Sequence, residues 1–576
     1  MCVPLRFGIF YEHQNPRPWR EERSDHRLLK AALEQVELAD RVGFDCVWEV
    51  EHHFLEEYSH SSAPEVFLAA AAARTQRIRL GHGIVQIPPA VNHPARVAER
   101  VATLDLISDG RVEFGTGESS SAAELGGFLI DRTRKREMWE DAVEAIARMF
   151  VEEPFAGWQS EFWQMPVRNV VPKPLQRPHP PLWVACSRRE TIHMAARKGI
   201  GALSFSFVEP EDAGRWVADY YSILDSEECV PAGFAINANV AVVLPMMLHE
   251  DEAQAIERGI DGAHFFGYSL AHYYGMGKHR PGRTVVWDEF VENRDARGFA
   301  RSLISADAAP LAVKIMQHGL GSLRGAIGTP EQVLDLCRRY EAAGVDQVIF
   351  VLQAGPNRHE HICESLELFG RHVIPPFAEE RDDREREKAA RLAPALARAL
   401  GRRSPARDAP REYVLDEAAE VARFAPSGGG GLRSRLGGVG QAALARLVRG
   451  ASDRQLERRF GGPRAQRLIF EGMARQFEPR FAFGFEGDIA YVLTHRENGK
   501  PATRWTIRVE GDTARVLPGV NASPAITFTL PVPDWARLIA EEADPQELLF
   551  SGRFHVDGDL SLATRVPEMF GAPPRF

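Results

Sequence analysis

The chain has 576 residues, of which 44% are hydrophobic and 26% are charged, and its formal net charge is −10. This length exceeds one domain, so two or three domains are expected, and the composition is that of an ordinary soluble globular protein. The acidic charge is spread along the whole chain, so it predicts no nucleic-acid partner.

No signal peptide or membrane span is predicted either. The N-terminus lacks a basic region followed by a long apolar stretch, and no apolar run of about eighteen residues occurs. The six cysteines lie far apart, without any Cys-x-x-Cys pair that would indicate a zinc ribbon or a redox motif. Sparse cysteines in a long chain are typical of a reducing compartment, and we expect a cytoplasmic protein.

The first predicted elements form a βαβ unit. A short apolar run at 5–10 precedes a helical pattern over about 25–42, in which apolar residues recur at helical spacing. Gly43 stands where this helix should end, and residues 45–50 are predicted to form a buried strand. Such a unit favours parallel pairing of its strands.

Similar units recur through the first 375 residues, with helix–glycine–strand junctions again at Gly344 and, more loosely, at Gly199. Further strands are predicted at 78–84, 111–115, 182–186, 202–207, 235–244 and 347–352. Together with the first two they make eight, and eight β units with intervening helices predict a TIM barrel. An open doubly wound sheet is the alternative.

One connection is unusually long, because about a hundred residues separate the strands near 240 and near 348. It contains aromatic residues beside glycines at 265–268 and 273–277, followed by Trp287. Glycine hinges among aromatics favour a mobile lid over an apolar site. A structural excursion with its own helices is the alternative interpretation.

The triplet Glu51, His52 and His53 directly follows a predicted strand, at the barrel end where TIM-barrel enzymes place catalysis. Successive strand residues point to opposite sides, so the two histidines alone predict no metal site. One of them can donate or accept a proton near neutral pH, and a purely structural role is the alternative.

Other strand ends are rich in small or cationic residues. Gly81 and Gly83 indicate a bulge or a close ligand approach, and the small residues at 115–121 leave room for a planar ring. The strand at 182–186 leads through Ser187 and two arginines into a helix, which makes a natural anion site. A capped helix with a solvated first turn is the alternative.

In their order, these motifs resemble the bacterial luciferase family of flavin-dependent monooxygenases over about the first 375 residues. The resemblance rests on Arg-Phe-Gly-Ile-Phe, on Gly-Phe-Asp-Cys-Val-Trp with Glu-His-His-Phe, and on Gly-His-Gly-Ile-Val-Gln-Ile-Pro. His-Pro, Leu-Asp-Leu-Ile-Ser-Asp-Gly-Arg and Gly-Thr-Pro-Glu follow in the expected order. The resemblance implies a TIM barrel that holds reduced FMN at the C-terminal strand ends.

The resemblance also implies roles for individual residues. His52 matches the catalytic histidine, and Glu51, in the matching position beside the flavin, is predicted to be catalytic as well. Gly83 and Ile84 match a non-proline cis peptide against the flavin ring. The remaining implied cofactor contacts are the phosphate-binding Arg136, the phosphate cradle of Ala185 and Ser187 with the helix N-terminus that follows, and the aromatic Phe205 near the ring.

Three positions depart from the family pattern, although they belong to the predicted cofactor site. Gly117 replaces a cysteine beside the flavin, Glu118 replaces a phosphate-binding arginine, and Cys186 replaces an acidic residue of the cradle. A carboxylate facing a phosphate is repulsive, so we expect Glu118 to point elsewhere or to bind substrate. Arg188 or Arg189 would then supply the missing charge.

The composition shifts after residue 375. A dense mixed-charge run, Arg/Ala/Pro-rich sequence and four glycines at 428–431 predict a partly helical linker over 376–440. From about 479 apolar residues alternate as in strands, and Asn498-Gly499 indicates a hairpin turn. Residues 441–576 resemble the sterol-carrier-protein type 2 domain, an α+β fold around an apolar cavity, mostly through Phe-Ser-Gly-Arg-Phe-His-Val-Asp-Gly-Asp.

The predicted function is that of a two-component monooxygenase. A separate flavin reductase would supply reduced FMN, because no Gly-x-Gly-x-x-Gly fingerprint opens a helix. Oxygen would add to the flavin to give a hydroperoxide, which would oxygenate a small hydrophobic organic substrate. The family resemblance also implies a homodimer. Two alternatives stay open: a deazaflavin-dependent oxidoreductase on the same barrel, and a lipid-binding protein with an inactive barrel.

Overall fold

The computed structural model describes twelve segments of the chain. They are 5–19, 24–205, 208–276, 279–297, 324–379, 381–415, 444–482, 485–495, 500–521, 523–540, 542–543 and 545–570. The chain divides into two compact units, Met1–Arg411 and Glu412–Phe576.

Eight parallel strands form a closed barrel in the first unit. They are β1 (Arg6–Tyr11), β2 (Cys46–Glu49), β3 (Arg79–Gln86), β4 (Val112–Gly117), β7 (Leu182–Cys186), β8 (Gly201–Ser204), β9 (Val240–Leu248) and β11 (Gln347–Val351). The pairing of β1 with β11 closes the ring. The predicted TIM barrel is therefore confirmed and the open sheet is excluded. The seventh strand begins later than the predicted 235–244, at Val240.

Helices surround the barrel between successive strands. In the first unit they are Ser24–Val42, Pro64–Ala72, Pro94–Ile107, Ala122–Gly127, Lys135–Val151, Arg189–Arg197, Pro210–Asp225, Glu252–Ala271, Val286–Arg297, Pro330–Ala342, His359–His372, Pro375–Ala378 and Arg381–Gly401. A short hairpin of β5 (Trp158–Gln159) and β6 (Gln164–Met165) and a strand β10 (Ala326–Gly328) beside β9 complete the unit. Apolar residues on the outward face of the strands pack against these helices.

Large aromatic side chains fill the barrel interior. The rings of Trp48 on β2 and Trp183 on β7 meet edge to face, with centroids 5.3 Å apart. A Cβ atom on Gly81 would lie 2.3 Å from the ring of Trp48, and one on Gly201 would lie 2.3 Å from the ring of Trp183. Glycine on each neighbouring strand therefore makes room for a tryptophan, which explains Gly81 without a ligand.

The long connection after β9 has helices of its own. The helix Glu252–Ala271 continues into the π-helical turn His272–Met276, and a further helix spans Val286–Arg297. Phe266 and Tyr273 of this segment pack on Tyr58, which lies in the loop after β2. The excursion is thus structured where it is described. Part of the expected lid, including residues 298–323, lies outside the described residues.

The barrel unit extends past the boundary expected at 375. The helix Arg381–Gly401, which composition placed in a linker, is tied to the barrel by ion pairs of Arg381 with Asp45 and of Lys388 with Asp346. These partners lie just before β2 and β11, at the N-terminal end of the barrel. The segment looked like a linker because its charges pair with residues distant in sequence. The four glycines at 428–431 lie outside the described residues.

We expect Lys388→Met to lower the free energy of unfolding by about 3 kcal/mol. The ammonium of Lys388 lies 2.6 Å from a carboxylate oxygen of Asp346, whose side chain is only 4% exposed. The substitution leaves that carboxylate without its cation in a buried place. The matched control is Arg386→Met on the same helix, where the arginine is 78% exposed. Urea unfolding of the full chain measures both, and equal losses would contradict the prediction.

The second unit is an α+β domain. Its sheet has the strand order β14 (Thr513–Pro518), β13 (Thr503–Glu510), β12 (Gly487–Thr494), β15 (Ile526–Pro531) and β16 (His555–Gly558). Its helices are Asp453–Phe460, Pro463–Arg475, Val532–Ile539, Pro545–Phe550 and Leu560–Met569, with a 3₁₀ turn at Pro479–Phe481. The ring of Phe470 packs against Tyr491 and Trp535 in its core. The predicted turn at Asn498-Gly499 lies outside the described residues.

Among the described helices of both units, none combines the length and the apolar character that a membrane crossing requires.

Candidate active site

His52 lies just beyond the C-terminal end of β2, buried between two carboxylates. Its Nδ1 atom is 3.0 Å from Oε1 of Glu124, and its Nε2 atom is 3.7 Å from Oε1 of Glu12. Burial disfavours the imidazolium, but the two carboxylates outweigh it and raise the pKa of His52 to about 9. The imidazole is therefore a cation at neutral pH. We call His52, Glu12 and Glu124 the carboxylate–histidine cluster.

Glu124 is the fixed anion of this cluster. It lies in the short helix Ala122–Gly127, where its backbone N–H donates to the hydroxyl of Ser121. Its buried carboxylate accepts hydrogen bonds from the hydroxyls of Ser119 and Ser121 and from the backbone N–H of His53. Burial opposes ionisation, yet the charge of His52 and these donors lower the pKa of Glu124 to about 2.

Glu12 directly follows β1 and differs from Glu124 in its surroundings. Tyr58 donates to its Oε1 atom over 3.0 Å, whereas its buried Oε2 atom has no hydrogen-bond partner among the described residues. Burial raises the pKa of Glu12 to about 7, against the opposing charge of His52. This carboxyl group can therefore hold or release a proton at neutral pH.

Neither Glu12 nor Glu124 was among the predicted site residues. Glu12 ends an apolar run and belongs to no motif that we recognised. The Ser121-x-x-Glu124 spacing is a helix-start signal, and it could have placed Glu124 at the start of a helix. Its contact with His52 spans 72 positions, which no local pattern reveals.

Glu51 bonds to a different set of residues from His52. Its carboxylate accepts hydrogen bonds from the backbone of Gln86 over 2.8 Å and from the side chain of Asn92 over 2.9 Å. The ring of His53 lies 3.0 Å from the same carboxylate. These contacts tie the ends of β2 and β3 together, and the catalytic role proposed for Glu51 remains a prediction.

The ends of β3 and β4 approach each other closely. A Cβ atom on Gly115 would lie 2.1 Å from the carbonyl oxygen of His82, and one on Gly117 would lie 2.7 Å from the side chain of Ile84. Glycine at 115 and 117 is therefore required by the strand spacing itself. Gly83 and Ile84 of β3 lie close to Gly117 of β4, and their role in cofactor binding stays a prediction.

The cis peptide implied for Gly83–Ile84 is not found. Within the described residues the cis peptide bonds all precede prolines, so this bond is trans. The register of β3 against β4 instead shifts between His82 and Val85. A bulge redirects the strand there without the energetic cost of a non-proline cis bond.

The predicted phosphate-binding Arg136 faces a carboxylate. Its Nε and Nη2 atoms donate to the two oxygens of Glu118 over 2.8 and 3.0 Å. Lys135 Nζ lies 3.1 Å from the carboxylate of Glu118. Burial lowers the pKa of Lys135, and the nearby positive charge of Arg188 lowers it further. The expectation that Glu118 points elsewhere is therefore wrong, because it lies among these cations. Lys135 was missed by sequence reasoning.

The residues of the predicted cradle at the end of β7 differ in exposure. Ala185 faces the barrel interior, and Ser187 and Arg188 are exposed before the helix Arg189–Arg197. Cys186 is buried on the opposite, helix-packed side of the strand, where burial raises the pKa of its thiol to about 12. Its side chain therefore cannot line the site, which leaves only its backbone. Arg189 is held by Asp219.

Aromatic side chains line the mouth of the barrel. The ring of Phe205 packs on Phe10 with centroids 5.2 Å apart, and its place beside a flavin stays a prediction. Tyr274 of the long connection contacts the rings of His52 and Tyr58. This covering segment is anchored by Glu57, whose carboxylate accepts the backbone N–H groups at the start of the helix Val286–Arg297.

Ser119 joins the two charged parts of the site. Its hydroxyl donates to Glu124 over 2.9 Å, while its carbonyl oxygen accepts from the ammonium of Lys135. Its backbone is left-handed, with a φ of 60°. The carboxylate–histidine cluster and the cations around Glu118 are thus adjacent parts of one site at the C-terminal strand ends.

A family profile described as luciferase-like monooxygenase matches residues 5–347, which is more than half of the chain. The chain belongs to the luciferase-like monooxygenase family. The profile of the SCP-2 sterol transfer family matches residues 485–571, in agreement with the resemblance of the second unit.

Several known proteins are similar to this luciferase-like monooxygenase. The oxygenase component of a flavin-dependent trigonelline monooxygenase from Acinetobacter baylyi is 24% identical over 391 residues, covering 66% of this chain and 98% of that protein. An uncharacterised protein of Sinorhizobium fredii is 30% identical over 244 residues, 42% of this chain and 67% of that protein. The crystal structure of monooxygenase RslO1 from Streptomyces bottropensis is 26% identical, covers 65% of this chain and 100% of its own, and has a TM-score of 0.51. The luciferase-like monooxygenase is accordingly an oxidoreductase built on a TIM barrel.

The raised pKa of His52 predicts a pH-dependent stability of the luciferase-like monooxygenase. A pKa that rises from 6.5 to about 9 on folding means that the folded protein binds the proton more tightly. This contribution is full below about pH 6.5 and is lost as the pH rises through about 9. We expect the stability difference between wild type and His52→Gln, measured by urea unfolding, to shrink over that interval. A difference that grows with pH would contradict the assignment.

Proposed function

We propose that this luciferase-like monooxygenase is the oxygenase component of a two-component system. It would receive reduced FMN from a separate flavin reductase and use it with O₂ to oxygenate a small hydrophobic organic substrate. The observation that carries the proposal is the junction at Ser119, which bonds to Glu124, the counter-ion of the buried His52 imidazolium, and to Lys135 of the cationic group. The first suits proton transfer and the second suits a phosphate.

The charges at the end of β4 fit a phosphomonoester. Lys135, Arg136 and Arg188 carry three positive charges against the single negative charge of Glu118, so two positive charges remain. A phosphomonoester carries about −1.5 to −2 at neutral pH. The hydroxyl of Ser120, 3.1 Å from Lys135 Nζ, adds a hydrogen-bond donor beside these cations, and Ser187 directly precedes Arg188 in the chain. The chemistry of these donors therefore supports a nucleotide phosphate at this place.

The neighbouring strand ends fit a flat ring. Phe205 supplies an aromatic surface against Phe10, and the side chain of Ile84, which fills the space beside Gly117, supplies an apolar surface at the ends of β3 and β4. These features support an isoalloxazine between the carboxylate–histidine cluster and the cations. When bound, reduced FMN would supply the electrons that activate O₂.

The residues of the chain would control protons and water. His52 is held as an imidazolium by Glu124, so its Nε2 atom can donate a proton into the site. Glu12, whose pKa is about 7, lies 3.7 Å from that atom and can return the proton at neutral pH. Tyr274 and Tyr58 cover the cluster and limit the access of bulk water.

Two further observations support a separate reductase and an apolar substrate. The sequence contains no dinucleotide fingerprint of its own, and the trigonelline relative is named as an oxygenase component, which supports a reductase partner here. The mouth of the barrel is lined by Tyr58, Phe266 and Tyr273, which favours a hydrophobic substrate. Binding of such a substrate would rest on burial of apolar surface.

Anaerobic titration of the full chain tests this function. Photoreduced FMN is added first, its binding is followed by fluorescence, and the complex is then mixed with O₂ in a stopped-flow spectrophotometer. We expect saturable binding and a reoxidation time course that differs from that of free reduced FMN. Binding of a reduced deazaflavin in place of reduced FMN would refute the proposal. So would lipid that co-purifies with a chain that binds no flavin.

A further inference from the structure

Two cations begin the helix Lys135–Val151, where cations are disfavoured. The free N–H groups and the macrodipole make a helix N-terminus positive, so Lys135 and Arg136 in the first turn need an anion nearby. Glu118 provides it, because its carboxylate meets Arg136 through two hydrogen bonds and lies 3.1 Å from Lys135. The cations are thus already engaged by a group of the chain.

Arg136 and Lys135 form an anion-binding site that is occupied by the carboxylate of Glu118, a residue of the same chain. Arginine binds carboxylates and phosphates through the same paired N–H···O hydrogen bonds, and Glu118 takes the Nε–Nη2 edge of Arg136. A phosphate must therefore displace the carboxylate from that edge or use the Nη1 side alone. The side chain of Glu118 is 18% exposed, and those of Lys135 and Arg136 are 16% and 34% exposed. The pair is therefore reachable from solvent, and an entering anion can exchange with the carboxylate.

We propose that Glu118 is a specificity-determining residue that imitates a phosphate when no flavin is bound and competes with the 5′-phosphate of the flavin for Arg136 and Lys135. The inference rests on the proposed function, because it concerns the same cofactor. If Glu118 competes in this way, the phosphate of FMN contributes less binding free energy than it would contribute beside the three cations without Glu118. A moderate affinity for reduced FMN suits a monooxygenase that exchanges this flavin with a reductase.

The contribution of the phosphate is measured by comparing two flavins. Riboflavin has the ring of FMN but no phosphate, so the ratio of the two dissociation constants isolates the phosphate. Both photoreduced flavins are titrated anaerobically into the full-length wild type and into Glu118→Gln. We expect the substitution to tighten FMN binding by about tenfold, the size of one charge-assisted interaction, and to leave riboflavin binding unchanged.

The matched control is Glu137→Gln. Glu137 lies in the same helical turn, but its carboxylate pairs with Arg134 rather than with Arg136, over 2.6 Å. We expect the riboflavin-to-FMN ratio of this variant to equal that of the wild type. Arg136→Gln should lower the ratio, and in that background Glu118→Gln should lose most of its effect.

The outcomes separate the two proposals. If neither flavin binds to the wild type, the proposed function fails. If both bind and Glu118→Gln leaves the ratio as in wild type, then Glu118 does not compete and only this inference is overturned. Riboflavin binding shows that each variant is folded. Glu118→Asp is a second variant, because its shorter side chain draws the carboxylate away from Arg136. We expect it, too, to tighten FMN binding relative to riboflavin.

Discussion

Substituting His52 by glutamine is expected to slow substrate oxygenation by about 10²–10⁴-fold, the usual contribution of a positioned proton donor. Glutamine retains a hydrogen-bonding group but cannot carry a proton between Glu12 and the site. The affinity for reduced FMN should stay within a few fold of wild type, because the cations around Glu118 are unchanged. Single turnovers with photoreduced FMN, O₂ and a substrate accepted by the wild type give the rate.

His53→Gln is the control for this experiment. His53 adjoins His52 in the chain, but its ring bonds to Glu51 and lies outside the carboxylate–histidine cluster. Its substitution should change the rate by less than tenfold. If the two variants lose activity equally, or if His52→Gln stays within tenfold of wild type, the assignment of His52 as proton donor is wrong.

Glu124→Gln is expected to lower the free energy of unfolding by about 3 kcal/mol and to lower the pKa of His52. The carboxylate lies 3.0 Å from Nδ1 of the buried imidazolium, so an uncharged amide leaves that cation without its closest counter-ion. In the variant, an amide NH₂ group takes the place of the Oε2 atom. It keeps hydrogen-bond partners, because the hydroxyls of Ser119 and Ser121 can rotate to accept from it. The loss therefore reports mainly the missing charge.

Urea unfolding gives the stability of this variant, and NMR titration of the His52 imidazole gives its pKa. Because the raised pKa depends on both carboxylates, His52 should become neutral at a lower pH in Glu124→Gln than in the wild type. Glu161→Gln is a suitable reference, since this carboxylate lies on the surface with its side chain 63% exposed. An unchanged imidazole pKa in Glu124→Gln would show that Glu124 does not hold the proton on His52.

The barrel was predictable because local patterns specify it. Each β unit is recognised from an apolar run, helical spacing of apolar residues and a glycine at the junction. These patterns are local and do not depend on residues distant in sequence. His52 could be located in the same way, because it follows a strand directly. Glu124 could not, because it reaches His52 only when β2 and the chain after β4 are brought side by side.

Charge was the harder property to interpret from sequence. Glu118 was expected to point elsewhere or to bind substrate, whereas in the folded chain it neutralises Arg136 and Lys135. The helix Arg381–Gly401 resembled a solvated linker, whereas Lys388 completes the polar contacts of Asp346. In both cases the partner of a charged side chain depends on tertiary structure, about which composition carries no information.

The pairing of β1 with β11 also bears on how the protein is made. These strands lie more than three hundred positions apart, so at ribosomal rates of about 5–20 residues per second the first strand waits roughly 20–70 s for its partner. During that time the growing sheet has two unpaired edges, which invite association with other nascent chains. Only after β11 emerges can the ring close, and the sterol-carrier-like segment is translated later still. Chaperone demand during translation should therefore come chiefly from the first 350 or so codons.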